Sequence, residues 1–547
     1  MTAQNIDINA TNTNATVGNS YLYGDALFLA GNLTFTGNTT INATANRGAA
    51  ILFGATTSFG PSILNMTFSN GSVVMNATNN GTSEISGNIT EYKSAIATDM
   101  WGAPGNTVFN YPLHVNISLS NSNLTICASS EDADGIHGSN INSFWNITGT
   151  GNASITGMSQ HGNGVSLEDI NINASGLNGT TTLTGIATGN GNGVDISGNT
   201  TLINVVVNGN GTDGSGVNIS GNLTSSGNST VTGNASGNGN GVNISGNITD
   251  GVISGGATGN GSGVDISGDS TLTNTTVNGN GTDGAGVSIS GNLSNSGNST
   301  VTGNASGNGN GVNISGNITD GVISGSATGN GAGVDISGDS TLINTTVNGN
   351  GTDGAGVNIS GNLSNSGNST VTGNASGNGN GVNISGNITD GVISGSATGN
   401  GAGVDISGDS TLTNTTVNGN GTDGAGVSIS GNLSNSGNST VTGNASGNGN
   451  GVNISGNITD GVISGSAVNG NGVEYTGPSK LTNTTVSGTS VHGYDVKEYL
   501  QDAIQQHARS TQAALAELRA EGSQVTETSG YRPETRTLTI SVCDEEN

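Results

Sequence analysis

Between Gly193 and Asn471 the apolar residues fall on a fixed schedule. A short run, "GVDIS" at Gly193 with later variants "GVSIS" and "GVNIS", places Val and Ile on one side of an extended strand and a polar residue on the other. Each run leads into a second β-prone stretch, "STLTNTTV", "STVTGNAS" or "GVISGSAT", and then into a turn of Gly and Asn, residues that tolerate positive φ. Aligned on "GVDISG" at Gly193, Gly263, Gly333 and Gly403, the pattern has a 70-residue period. Within the period from Gly263 the motif restarts at Gly286 and Gly311 before Gly333, so each period holds three slightly unequal steps. No apolar stripe of helical period interrupts it, so a βαβ arrangement fails for want of helices. The spacing predicts coils of a parallel β-solenoid, each turning about five aliphatic side chains inward. One such coil buries too little to offset the entropy of ordering its backbone, so stability must come from stacking.

The same reading extends to the flanks. Residues 1–134 are less regular but equally β-prone ("LFLAGNLTFTGN", "LNMTFSNGSVVMN") and predict irregular N-terminal coils. Residues 135–192 form two longer 29-residue coils, from Gly135 and Gly164; residues 193–471 hold four 70-residue repeats of three coils each; residues 472–493 are a last coil. The character changes over 494–547. There "DVKEYLQDAIQQHARSTQAALAELRAEG" predicts a helix with Asp495 as N-cap, Glu498 completing a capping box and Gly522 as the stop. "TRTLTISVC" then alternates like a strand, and the segment reads as a cap over the solenoid's open end. The expected fold class is all-β: a parallel β-helix of about twenty coils, a rod near 100 Å long, with a short α-helical C-terminal segment.

Composition narrows the partners. Gly accounts for 98 of 547 residues and aromatics for 3%, too few large fillers for a layered globular core. Pro numbers only five, against the usual make-up of disorder. The net charge of -28 excludes nucleic acid and anionic membrane as natural partners. No Lys or Arg occurs from 94 to 479. Cys127 and Cys543 lie far apart and are expected to be unpaired. Residues 1–20 lack a signal-peptide hydrophobic region, so an exported protein would begin elsewhere or after processing. The acid at the third position of the first strand runs Asp265, Ser288, Asn313, Asp335 from coil to coil, which sets like charges about 14 Å apart in a stack.

Three stretches carry candidate chemistry. "SSEDADGIHGSN", from Ser129, offers Asp132, Asp134 and His137 as acid, base and helper of a β-helix polysaccharide hydrolase or lyase. The bland alternative is a solvated turn opening a coil. "NGNGTDG" resembles a Gly-Asp calcium loop, yet Asp283 has no carboxylate close by in sequence and the nonapeptide pattern is unmatched; a calcium- or ice-binding solenoid remains an alternative. No zinc spacing, nucleotide loop or other cofactor motif is present, so neither metal nor cofactor is expected. The third stretch is N-x-S/T, which occurs seven times in 263–332, at Asn274, Asn280, Asn292, Asn298, Asn304, Asn313 and Asn317. With 12 Asn and 20 Ser or Thr in that repeat, chance gives about 3.4, so the excess is about twofold. It reads either as glycosylation or as a by-product of Asn in turns and Ser/Thr on strands. Asn313 and Asn317 flank an inward Ile and are expected to point outward. The stretches near Trp101 and Trp145 are the first guess for a recognition surface, with core packing as the alternative.

The near-identical Asn/Thr/Ser/Gly repeats from about 135 to 486 resemble exported adhesins of Gram-negative bacteria, most of all the two-partner-secretion exoproteins of the filamentous haemagglutinin and high-molecular-weight adhesin type. The resemblance implies a right-handed parallel β-helix, passage through an outer-membrane secretion transporter, residence outside the cell or on its surface, and attachment to host cell surface glycans or glycoproteins as a virulence factor rather than catalysis. It also implies, as in some members, glycosylation at N-x-S/T by a cytoplasmic glycosyltransferase before export. The family's "NPNG"-type amino-terminal motif is absent, which suggests the carboxy-terminal part of a longer exoprotein. The paired cysteines that hold the high-molecular-weight type at its transporter are not matched, since only Cys543 lies near the end.

Overall fold

The computed structural model describes residues 2–12, 26–46, 49–54, 62–80, 95–97, 113–476, 480–497 and 538–540. It is an all-β parallel β-solenoid of about 18 turns among the described residues. The chain's contacts divide it into two compact units, residues 1–288 with 296–300, and residues 289–295 with 301–547.

In the second unit most coils have three strands, where the sequence pattern suggests two; in Ile318–Ala327 and Ser340–Gly351 the second and third run on as one bent strand. One coil runs Val404–Ile406, Ser410–Thr413 and Thr416–Gly421. These pair in parallel with Val427–Ile429, Leu433–Ser436 and Thr440–Ala445 of the next coil. We call the three positions the first, second and third faces. The β-prone run "STLTNTTV" is broken at Asn414, whose φ of 50° turns the chain from the second face to the third. Asn344 (φ 50°) and Asp390 (φ 56°) do the same in neighbouring coils. Asn and Asp accept this left-handed conformation more readily than other residues with a Cβ. The periodicity of apolar residues cannot reveal such a bend, because the inward side chain resumes its alternation after it.

The alternation itself is reproduced. Val382, Ile384, Ile388 and Ile393 are fully buried, with Ala397 closing the row, which makes the five inward aliphatic side chains per coil. The second face varies in length, and buried polar groups repair the difference. Where Leu363–Ser366 lies under the shorter Ile388–Thr389, Asn365 turns inward and its Nδ2 donates to the Asp390 carbonyl at 3.1 Å. At the next corner Ser369 Oγ donates to the carbonyls of Leu342 and Ser366 and accepts from the Thr345 amide.

The first unit explains why the turns number about 18 rather than twenty. Its early coils are longer: Asn42 stacks on Asn9 and Asn76 on Asn42, offsets of 33 and 34 residues, and Asn116 stacks on Asn65 at an offset of 51. The two coils from Gly135 and Gly164 do keep their 29-residue step, with Val165 over Ile136 and Val194 over Val165. Aromatic side chains fill the early coils. Phe35 stacks on Phe68 with centroids 5.2 Å apart, and Trp145 meets Phe53 edge-on at 6.3 Å. After Gly193 the buried apolar rows are Val, Ile, Leu and Ala, joined by Tyr475.

At the other end the chain departs from the helical expectation. Val496–Lys497, which the capping-box pattern puts in the first helical turn, is a first-face strand paired in parallel with Val473 and Glu474. Pairing to the preceding coil overrides the local signal. The rest of the expected helix, from Glu498 to Gly522, lies outside the described residues. Within the expected strand, Leu538–Ile540 pairs antiparallel with Thr485–Ser490, putting Leu538 against Gly488 and Ile540 against Val486. These three residues thereby cover part of the edge of Thr485–Ser490.

The return from the third face to the first is tight enough to demand glycine at defined places. A Cβ on Gly255 would overlap the Gly263 carbonyl oxygen, where the chain doubles back. Its neighbour Gly256 would meet only the Asn234 Oδ1, at 3.0 Å, and Ser326, Ser396 and Ser466 stand at its place in later repeats. We therefore expect Gly255→Ala to destabilise the coil by about 1–3 kcal/mol, while Gly256→Ala stays within about 0.5 kcal/mol. Thermal melting of the two variants beside the parent protein checks this, and equal effects would contradict the steric account.

Candidate functional site

The acidic turn is built where a long coil opens. Asp134 Oδ1 accepts the Asn163 amide at 2.8 Å, and its Oδ2 lies 3.0 Å from His137 Nδ1. One coil on, Asn163 Oδ1 accepts the Asn192 amide at 2.8 Å, and Asn192 Oδ1 accepts the Ser215 amide at 2.9 Å. Asp134 thus stands in a column in which Asn163 and Asn192 of the next two coils likewise tie one turn to the next. Asp132 faces His161 Nδ1 at 3.2 Å. The structure therefore brings Asp132, Asp134 and His137 to one turn and adds His161, a residue the motif did not suggest. Coil length was the available signal, since one 29-residue step carries Asp132 to His161. The two acid–His pairs can exchange protons. Both oxygens of Asp134 are committed, one of them to the stack itself.

The other sequence candidates disperse. Asp283 is exposed in the first unit. In the second unit its counterparts Asp353 and Asp423 are three coils apart, and Asp423 Oδ1 is approached by Asn448 Nδ2 at 3.4 Å. Among the described residues no group of three or more His, Cys, Asp or Glu is placed to hold a metal. Cys127 is a half-buried free thiol, whereas Cys543 lies outside the described residues. Trp145 is 3% exposed, so the core-packing alternative holds for it, and Trp101 lies outside the described residues.

Two polar columns dominate the surface of the stack. On the first face, Asn218 Nδ2 donates to Asp195 Oδ1 at 2.7 Å and Asn243 Nδ2 to Asn218 Oδ1 at 2.8 Å in the first unit. In the second unit Asn358 Nδ2 donates to Asp335 Oδ1 at 2.6 Å. Above Asp265 and Asp405 the next coil places Ser rather than Asn. Burial raises Asp265 and Asp405 above the ordinary carboxylate range, and the hydrogen bonds from Ser288 and Ser428 only partly offset it. The column ends on an ion pair, Lys497 Nζ to Glu474 Oε1 at 2.9 Å. Burial alone would raise Glu474, but hydrogen bonds from Lys497, Asn471 and Asn450 together with the lysine charge outweigh it, and the group is lowered.

The second column stands at the corner between the first and second faces. There Asn317 Oδ1 accepts the Thr341 amide, Asp339 Oδ1 the Asn362 amide and Asn362 Oδ1 the Asn387 amide, at 2.9, 3.0 and 3.2 Å. The apolar periodicity does not single these residues out. The signal was present, because each "GVDISG", "GVSISG" and "GVNISG" from Gly193 to Gly451 is followed by Asn or Asp.

The ladders sort the sequons. Asn317 and Asn313 do face outward, Asn317 exposed and Asn313 half-buried beside the inward Ile314. Several amides are engaged. Asn274 Nδ2 donates to Asp250 Oδ1 at 3.1 Å, Asn317 Nδ2 to Asn292 Oδ1 at 3.0 Å, and Asn313 Oδ1 accepts from Asn310 at 2.6 Å. Asn280, Asn292 and Asn304 also have partners. Asn298 differs: it is exposed at the corner before the third face, with no side-chain hydrogen bond among the described residues. Asn228, Asn368 and Asn438 repeat its position, one in each repeat.

With the geometry in hand, the chain was compared with known proteins. No family model matches it, and no curated protein or solved structure shows significant similarity.

Two outcomes are expected. Because the folded pKa of Asp405 lies above its unfolded value, folding favours the protonated form. That contribution is complete below the ordinary value of 3.8 and is lost as pH rises through the folded pKa. Asp405→Asn should therefore raise the melting temperature at neutral pH and give no gain at acid pH; melts across the range decide it. If the native protein is glycosylated, occupancy should be highest at Asn228, Asn298, Asn368 and Asn438, whose side-chain amides make no hydrogen bond among the described residues; within the second unit Asn368 and Asn438 stand three coils apart, about 14 Å, which leaves room between sugars. Glycopeptide mapping of protein from its native host reads this directly.

Proposed function

We propose that the protein is a secreted bacterial surface adhesin whose stacked coils attach to host cell surface glycans or glycoproteins. The observation that carries this reading is the repeated presentation of uncharged, mostly polar side chains. On the third face of the second unit the outward columns are Thr346, Thr370, Val392, Thr416 and Asn348, Thr372, Ser394, Asn418, over a dry Val and Ile core. No Lys or Arg occurs from 94 to 479, so neither nucleic acid nor an acidic polysaccharide finds its counter-charge there. Identical elements recurring in every repeat suit many weak, equivalent contacts whose combined avidity exceeds any one of them. In this reading the chain leaves the cell through an outer-membrane secretion transporter, and N-x-S/T modification by a cytoplasmic glycosyltransferase precedes export.

The test is direct binding. Purified protein should bind host epithelial cells saturably, and enzymatic stripping of surface glycans should lower that binding by about tenfold or more. A protein that binds no cell surface, stripped or intact, is not an adhesin.

A further inference from the structure

The second unit carries a shallow groove of about 320 Å³ at the corner between its first and second faces. It is lined by Asp339, Thr341, Asn362, Ser364, Asn387 and Thr389, with buried Leu363 as part of its wall. Its origin is a jog in register. Leu342 lies over Ile318, yet Ser340, two residues earlier, lies under Leu363. The coil that starts with Ser340 and Thr341 therefore reaches two residues further toward the corner than the coil before it. Asn317 Oδ1 is drawn to the Thr341 amide, and Asp339 is left projecting at the corner.

We propose that this groove is a binding site for neutral, hydroxyl-rich ligands, the chemistry of an uncharged carbohydrate. The hydrogen-bonding capacity left unused at the corner supports it. Asp339 and Asn362 spend one side-chain oxygen each on the next coil's amide. The Nδ2 groups of Asn362 and Asn387 and the hydroxyls of Thr341, Ser364 and Thr389 make no side-chain hydrogen bond among the described residues. Donors and acceptors thus alternate around one concavity, as a ligand of adjacent hydroxyls requires. The volume is at the small end of the range for ligand pockets, about 300–1,000 Å³, which suits one or two sugar rings. Charge excludes the competing classes. Asp339 is the single carboxylate in the lining, too few for a calcium site that prefers several. No basic residue lines the groove to hold an acidic sugar.

The same corner recurs one repeat later, with Asp409, Thr411, Asn432, Ser434, Asn457 and Thr459 in the equivalent positions. Its bonds repeat too: Asp409 Oδ1 accepts the Asn432 amide at 3.0 Å and Asn387 Oδ1 the Thr411 amide at 2.9 Å. The two corners stand three coils apart, about 14 Å along the stack, so one glycan chain can engage both. The proposal rests on the adhesive reading and gives it an address.

The experiment uses the full chain on an array of neutral and acidic glycans, with host-cell binding measured in parallel. Ser364→Tyr combined with Ser434→Tyr fills both corners without removing a protein hydrogen bond. Ser376→Tyr, exposed on the turn that follows the third face, is the control. The parent and the control should bind neutral glycans, and the double variant should lose about tenfold or more in apparent affinity at an unchanged melting temperature. Asp339→Asn with Asp409→Asn supplies a second pair: the acceptor for the next coil stays, one carboxylate oxygen per groove is replaced by an amide, and binding should again fall. Undiminished binding in both double variants overturns the groove. So does a parent protein that binds cells but no neutral glycan, an outcome that leaves the adhesive reading standing. A parent that binds neither cells nor glycans overturns both.

Discussion

Parallel stacking of one coil on the next, at a strand spacing of about 4.8 Å, governs nearly everything else in this molecule. Backbone amides on a face bond the coils on either side, so side chains lie over counterparts in the same structural role. Stacked Val and Ile shield one another from water, which no single coil can do for itself. Stacked amides of Asn bond to one another in the same way. A chain poor in aromatics and rich in Gly can therefore hold a dry core, provided the period is kept.

The same constraint disciplines charge. An acid on every coil would face an acid one strand spacing away. In the second unit the first-face column instead reads Asp335, Asn358, Asn383, Asp405, with neutral residues between the carboxylates. Asn above an acid supplies a long-reaching amide donor; Ser above Asp405 supplies a shorter one, and there burial has the larger effect on the carboxylate. Asp134 follows the rule from the other direction. It looks like an active-site acid in sequence, yet it sits where the next two coils place Asn163 and Asn192, and it ties its turn to the next.

Binding capacity then concentrates where the stack is imperfect. Regular columns consume many of their own donors and acceptors. The register jog at Ser340 and Thr341 interrupts that economy at a corner, leaving a concave surface with polar groups to spare. Under the proposed adhesive function, a defect repeated with the period of the sequence supplies equivalent contacts.

By itself the sequence determined the coil period, the in-and-out alternation, the two long coils from Gly135 and Gly164 and the spacing of the acids. These follow from local rules that a strand obeys wherever it lies. It also held signals that went unread, such as the Asn or Asp after every "GVDISG"-type motif and the single-coil step from Asp132 to His161. Only the tertiary structure decided the bend at Asn414, the inward turn of Asn365, the long early coils and the strand at Val496–Lys497. Each of these depends on what the neighbouring coil offers: a longer face, an unfilled carbonyl, an open ladder. The physical reason is that a solenoid's register is a relation between coils, and no single coil's sequence contains the other half of that relation.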